Sequence, residues 1–133
     1  MRPAATLQRT VLVIEDDPWT RTVTTALLAG EGYAVIEAKN GEEGLARAAE
    51  HGPDVVLLDL ALPTMSGLDV LRALKRTPAT SATPVLIVSA YASLMSEDDA
   101  RQAEAIIQKP FDCDDLVGQV DRAAQNLVPL GAL

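Results

Sequence analysis

Three carboxylates, a hydroxyl and an ammonium stand out because each follows directly on an apolar run. Glu15-Asp16 ends Val11-Leu12-Val13-Ile14, Asp59 ends Val55-Val56-Leu57-Leu58, and Ser89 ends Val85-Leu86-Ile87-Val88. Lys109-Pro110 ends the weaker run Ala105 to Gln108. Carboxylates gathered in one place repel, and each has its pKa raised unless a cation joins them. Lys109 brings one positive charge, which leaves negative charge in excess. A hard divalent ion with oxygen ligands fits that remainder, and Mg²⁺ is the abundant one that accepts a few carboxylates together with waters. A metal and a lysine around a nucleophilic carboxylate suit phosphoryl transfer, since the cations neutralise the transferring group while the carboxylate attacks. In the blander reading, Glu15, Asp16 and Asp17 only form the acidic start of a helix. The polar residues at the other strand ends argue against it.

The elements that must carry these residues are legible from hydrophobic pattern. The three strong runs are continuous rather than alternating and rich in β-branched residues, as in strands buried on both faces of a parallel sheet. Ala34 to Ala38 is a further, weaker strand. Between the runs lie helices with readable ends. Asp17 caps the first and Pro18 sits at its first position, where a missing N–H costs little. Val23, Ala26 and Leu27 are expected on its buried face, with Gly30 or Gly32 at its end. Asn40-Gly41 opens a second helix through Leu45, Ala48 and Ala49, closed near Gly52-Pro53. Leu68, Leu71 and Leu74 mark a third, stopped before Pro78. Leu116, Val120, Ala123, Ala124 and Leu127 mark the last. Leu94 to Glu104 is weakly periodic, so its helix is expected to be short or irregular. Five βα units follow: a doubly wound α/β domain with a parallel sheet and right-handed crossovers. In such sheets ligands bind outside the carboxyl ends of the strands, where the winding reverses. The polar residues therefore converge on one edge.

Composition bounds the partners. A chain of 133 residues is one ordinary domain, and a formal charge of -8 argues against binding nucleic acid or an anionic membrane. The single cysteine, Cys113, cannot form an internal disulfide, which suits a reducing compartment. No stretch approaches the roughly 18 apolar residues of a spanning helix, and the first ten residues lack a secretory core. A cytoplasmic location is the expectation.

Glu15-Asp16-Asp17-Pro18, Asp59 through Gly67, Ser89-Ala90 and Lys109-Pro110-Phe111 together resemble the receiver domain of two-component response regulators. Order, spacing and strand context agree over roughly Arg9 to Leu127. The resemblance implies a five-stranded parallel sheet in the order 2-1-3-4-5 within a flavodoxin-like three-layer sandwich. Residues 1–8 would form an extension, 9–127 the receiver and 128–133 a tail. It implies Asp59 as phosphoacceptor, a choice over Asp16 that spacing alone does not make. Asp16, Asp59 and the carbonyl of Ala61 would bind Mg²⁺ directly, with Glu15 acting through a metal-bound water. Ser89 would hydrogen-bond one phosphoryl oxygen and Lys109 pair with another. The donor would be a histidine kinase or a histidine phosphotransfer protein, docking near Trp19 and Thr20, and a downstream protein would read the result. The chain would assist only its own phosphorylation and dephosphorylation, as a monomer or weak dimer. The resemblance also implies a cis Lys109-Pro110 bond.

Three features depart from the family. Ile106 stands where an aromatic residue is usual, three positions before the lysine. The stretch from Ser89 to Lys109 is slightly short and lacks the usual glycine. Ala61 and Tyr91 occupy positions that tune phosphoryl lifetime. The first two departures lead to the expectation that the usual hydroxyl–aromatic switch is altered, with Tyr91 taking part of the aromatic role. A hydrolytic phosphatase wants a second aspartate two residues after the nucleophile, where this chain has Ala61. A phosphorylation-independent interaction module is the main alternative. A nucleotide or flavin site lacks a glycine-rich loop after the first strand. His51 reads as a solvated residue near a helix end, and Gly67 as serving the turn beside Asp59.

Overall fold

The computed structural model describes residues 8–125. Elements alternate strictly along the chain: β1 (Thr10–Ile14), α1 (Pro18–Gly30), β2 (Ala34–Ala38), α2 (Gly41–His51), β3 (Val55–Leu58), α3 (Gly67–Arg76), β4 (Val85–Ser89), α4 (Glu97–Gln102), β5 (Ala105–Gln108) and α5 (Cys113–Gln125). A 3₁₀ turn, Ala92–Leu94, precedes the six-residue α4, so this segment is as short and irregular as its weak pattern implies. All strand pairs are parallel and the order is β2-β1-β3-β4-β5. Leu127, the proposed tail and residues 1–7 of the proposed extension lie outside the described residues.

Successive side chains of a strand point to opposite faces, which divides each continuous apolar run between two cores. Val11, Val13, Leu57, Leu86 and Val88 join Leu28 of α1 and Leu116 and Val120 of α5. Leu12, Ile14, Val56, Leu58 and Ile87 join Ala48 of α2 and Val70, Leu71 and Leu74 of α3. The three-layer sandwich follows from this split.

Caps form where local chemistry puts them. Asp17, Asn40, Ser66 and Ser96 each accept a hydrogen bond from an amide in the first turn of the helix they precede, and Gly52 ends α2 in the left-handed region. The buried face of α1 corrects the sequence reading. Thr24 and Leu28 are buried, Val23 and Leu27 are half-buried, and Ala26 is exposed. A polar Thr24 hides this face from an apolar count, and packing against β1, β2 and α5 selects it. Ala49 of α2 is likewise exposed, while Gly41 and Gly44 are buried because that helix lies close against its neighbours. A Cβ on Gly44 would come within 2.5 Å of the Ile14 side chain. His51 ends α2, exposed and 2.8 Å from the Glu50 carboxylate.

Two polar ties hold the outer layers. The Tyr33 hydroxyl donates to the Asp121 carboxylate, joining the start of β2 to α5. Arg72 of α3 donates to both oxygens of Asp99, at 3.1 and 2.8 Å, and so anchors the short α4. The Arg72 hydrogen bonds hold the Asp99 carboxyl below its usual range despite burial, with help from Ser96. A carboxyl whose pKa is lower folded than unfolded stabilises the fold above its unfolded value near ~3.9. That contribution is lost as pH falls through the lower folded value. The denaturation midpoint should thus drop less between pH 6 and pH 3 in Asp99→Asn than in the natural chain; equal drops would show that this pair carries no acid sensitivity.

Candidate functional site

Ladder hydrogen bonds at the carboxyl edge of the sheet set the site residues in a row. Glu15 N donates to Ala38 O at 3.0 Å, Asp59 N to Ile14 O at 3.1 Å, and Lys109 N to Ser89 O at 3.1 Å. Each polar residue therefore begins where the apolar strand before it runs out. Glu15, Asp16 and Asp59 each offer a carboxylate oxygen, and these three atoms lie within 4.8 Å of one another. Glu15 and Asp59 are buried and Asp16 is exposed.

Lys109 Nζ joins the two buried acids, 2.7 Å from Glu15 Oε1 and 3.0 Å from Asp59 Oδ2. Burial pushes the Glu15 carboxyl up to about 7; the hydrogen bond from Lys109 opposes this and the charge of Asp59 adds to it. Burial pulls the Lys109 ammonium down, but its hydrogen bonds to Glu15 and Asp59 outweigh that and raise it overall. Three acids around one ammonium remain short of positive charge, and the donor set is all oxygen, so a hard divalent cation fits it.

Asp59 is oriented from two sides. Its Oδ2 accepts from Lys109, and its Oδ1 accepts from Ala61 N at 3.1 Å. The loop after it closes tightly: Gly67 N donates to Leu60 O at 2.9 Å, and a Cβ on Gly67 would lie 2.3 Å from the Asp59 carbonyl oxygen. Gly67 thus lets α3 start against the backbone of Asp59, the structural task expected of it. Ser89 is fully buried at the end of β4, and its Oγ accepts from Tyr91 N at 3.1 Å. The Lys109-Pro110 peptide is cis, as expected.

Sequence reasoning overlooked two residues. Arg21, one turn into α1, donates to the carbonyl of Glu15 at 2.8 Å and lies 3.4 Å from that of Asp16, bracing the backbone of the acid pair. Gln108 donates to Ala90 O at 2.9 Å. Only a side chain's reach across the fold identifies either, although Gln108 directly precedes the lysine. Ile106 is 41 % exposed and Tyr91 56 % exposed, so the aromatic position of the usual switch holds a surface aliphatic residue.

A doubly wound sheet of this order, with an acidic edge crossed by a lysine, is the architecture of CheY-like signalling domains. The response regulator receiver domain family matches residues 11–121, and the chain belongs to that family. It is 37 % identical over 107 residues to the polar-differentiation response regulator DivK of Brucella anthropi, covering 79 % of this chain and 87 % of that protein. It is 39 % identical over 118 residues to the transcriptional regulatory protein KdpE of Mycobacterium tuberculosis, covering 87 % of this chain but only 51 % of that one. Among solved structures, the response regulator TrrA of Thermotoga maritima, in complex with Mg²⁺-BeF, aligns with a TM-score of 0.80 at 28 % identity. That match covers 87 % of this chain and 99 % of TrrA. The protein is thus a signalling domain of the phosphorelay type, and a phosphorylation-independent module is not favoured. Receiver domains bind Mg²⁺ at an acidic site and interact with histidine kinases and downstream effectors. Among the described residues no helix is long and apolar enough to cross a membrane.

Proposed function

We propose that Asp59 is the phosphoacceptor of this receiver domain. The carrying observation is that Lys109 Nζ bridges Asp59 and Glu15, with Asp16 close by, at the carboxyl edge of the sheet. Asp16, Asp59 and the Ala61 carbonyl would hold Mg²⁺, with Glu15 reaching it through water; when bound, the ion supplies charge neutralisation for the phosphoryl group. An Asp59 oxygen attacks phosphorus, the P–N bond to the donor histidine breaks, and its electron pair remains on the imidazole. Lys109, freed from part of its pairing, meets one phosphoryl oxygen and the Ser89 hydroxyl donates to another. TrrA, similar over nearly its whole length, is described with Mg²⁺-BeF, which supports the metal assignment. The domain assists its own phosphorylation and dephosphorylation only, in the cytoplasm, as a monomer or weak dimer, and passes its state to a downstream protein.

Mass spectrometry of the intact chain after acetyl phosphate and Mg²⁺ tests the phosphoacceptor. The metal set is tested separately by titrating Mg²⁺ against Trp19 fluorescence. Asp16→Asn should abolish the response at concentrations that saturate the natural chain. An unchanged titration would remove Asp16 from the site.

The donor, a histidine kinase or histidine phosphotransfer protein, should approach over Trp19 and Thr20. Trp19 is 76 % exposed, and with Thr20, Val23, Pro110 and Phe111 it lines a groove of ≈ 460 Å³ that reaches Lys109. Trp19→Ala should slow transfer from the cognate donor about tenfold or more, as loss of an aromatic anchor does, and spare phosphorylation by acetyl phosphate. Equal slowing of both would make Trp19 a support of the fold instead.

A further inference from the structure

The peptide unit joining Ala90 to Tyr91 is held at both ends by side chains of the sheet edge. Its N–H donates to Ser89 Oγ at 3.1 Å, and its carbonyl accepts from Gln108 Nε2 at 2.9 Å. Gln108 pairs with Ser89 in the β4–β5 register and directly precedes Lys109. Its second contact, to Lys109 O at 3.4 Å, is long for a hydrogen bond. A peptide is planar, so its N–H and C=O point in opposite directions and turn together. Fixing the carbonyl therefore fixes the direction of the N–H that faces Ser89.

The hydroxyl chemistry gives this arrangement a consequence. A serine hydroxyl has one hydrogen to donate and two lone pairs to accept with. With one lone pair committed to Tyr91 N, the oxygen is located and its hydrogen is left to donate elsewhere. Ser89 is fully buried, so bulk water does not compete for that hydrogen.

We propose that Gln108 is a positioning residue for phosphoryl transfer: through the Ala90–Tyr91 peptide it holds the Ser89 hydroxyl where it donates to a phosphoryl oxygen. The inference rests on the role given to Ser89 above. Gln108 itself touches none of the reacting atoms. The same relay is a route for readout in a chain whose aromatic position is Ile106. Displacement of the Ser89 hydroxyl turns the peptide and loads the bond to Gln108, so the signal reaches the end of β5 through an amide rather than a ring.

Gln108→Leu removes the donor at similar volume, and Gln108→Glu sets a carboxylate against the carbonyl. With acetyl phosphate and Mg²⁺, both should be phosphorylated about two- to fivefold more slowly, as fits one hydrogen bond partly open to water. In a Ser89→Ala background, Gln108→Leu should add no further loss, because residues acting through one network are not additive. The Tyr91 amide proton resonance should also shift upfield in Gln108→Leu before any phosphorylation. A loss of equal size with and without Ser89, or an unmoved Tyr91 resonance, overturns the inference. Gln108→Leu at the natural rate beside an impaired Ser89→Ala overturns it alone. A fully active Ser89→Ala strikes the Ser89 assignment and takes the inference with it.

Discussion

Asp59→Asn should leave the intact mass unchanged after incubation with acetyl phosphate and Mg²⁺, while the natural chain gains one phosphoryl group. The substitution keeps the shape and the hydrogen bond from Ala61 N, so the loop after β3 should persist. It removes the proposed nucleophile and one carboxylate partner of Lys109, which among the described residues keeps its pairing with Glu15. An amide oxygen is a far weaker nucleophile than the oriented carboxylate proposed to supply both attack and alignment. The loss should therefore be complete on the timescale of the natural reaction. Asp16 is the informative competitor, since it lies in the same cluster and spacing alone does not rank the two. Geometry separates them: Asp59 is buried and oriented through both its oxygens, whereas Asp16 is exposed. A phosphoryl group appearing on Asp59→Asn at the natural rate, and disappearing from Asp16→Asn, would reverse the assignment.

Gly67→Ala should be the most damaging of the conservative changes near the site. The added methyl would sit 2.3 Å from the Asp59 carbonyl oxygen, 2.5 Å from Leu60 Cα and 3.0 Å from Asp59 C. All three are backbone atoms, so no side-chain rotation relieves the contact. Either the start of α3 moves off the sheet or the strand end carrying Asp59 is displaced. Overpacking of this kind costs about 3 kcal/mol, seen as a lower urea midpoint with an unchanged slope. Because two of the three atoms pushed belong to Asp59, phosphorylation by acetyl phosphate should slow as well, under conditions where the variant is fully folded. Gly30→Ala serves as the control, because a Cβ there meets nothing within 4 Å and should change stability by under about 1 kcal/mol. Equal midpoints for the two variants would show that the close approach of α3 is not needed.

Much of this architecture is local, and local features were readable from the residues. Val11 to Ile14, Val55 to Leu58 and Val85 to Val88 form strands because burial on both faces demands unbroken apolar runs, and the split into two cores follows from side-chain alternation. Helix starts at Pro18 and Gly41 were legible because a cap is a hydrogen bond spanning only three residues, such as that donated by Thr20 N to Asp17 Oδ2 at 2.8 Å. The short α4 was foreshadowed by the weak pattern of Leu94 to Glu104. The strand order came from family resemblance rather than from periodicity, since parallel neighbours are joined by long crossovers that leave no local mark.

What only the tertiary structure decided is which groups meet. Lys109 reaches Glu15 across 94 residues and Asp59 across 50, and no spacing rule states that one ammonium serves both. The buried face of α1 runs through Thr24 and Leu28 because β1 and α5 lie there, against the apolar count that favoured Val23, Ala26 and Leu27. Arg21 behind the acid pair and Gln108 behind Ser89 carry no motif, because each donates to a backbone carbonyl, which every residue possesses. Residue types at strand ends thus determined which chemistry the edge could perform. The distances between those ends, set by non-local packing of the sheet and helices, determined which atoms meet there.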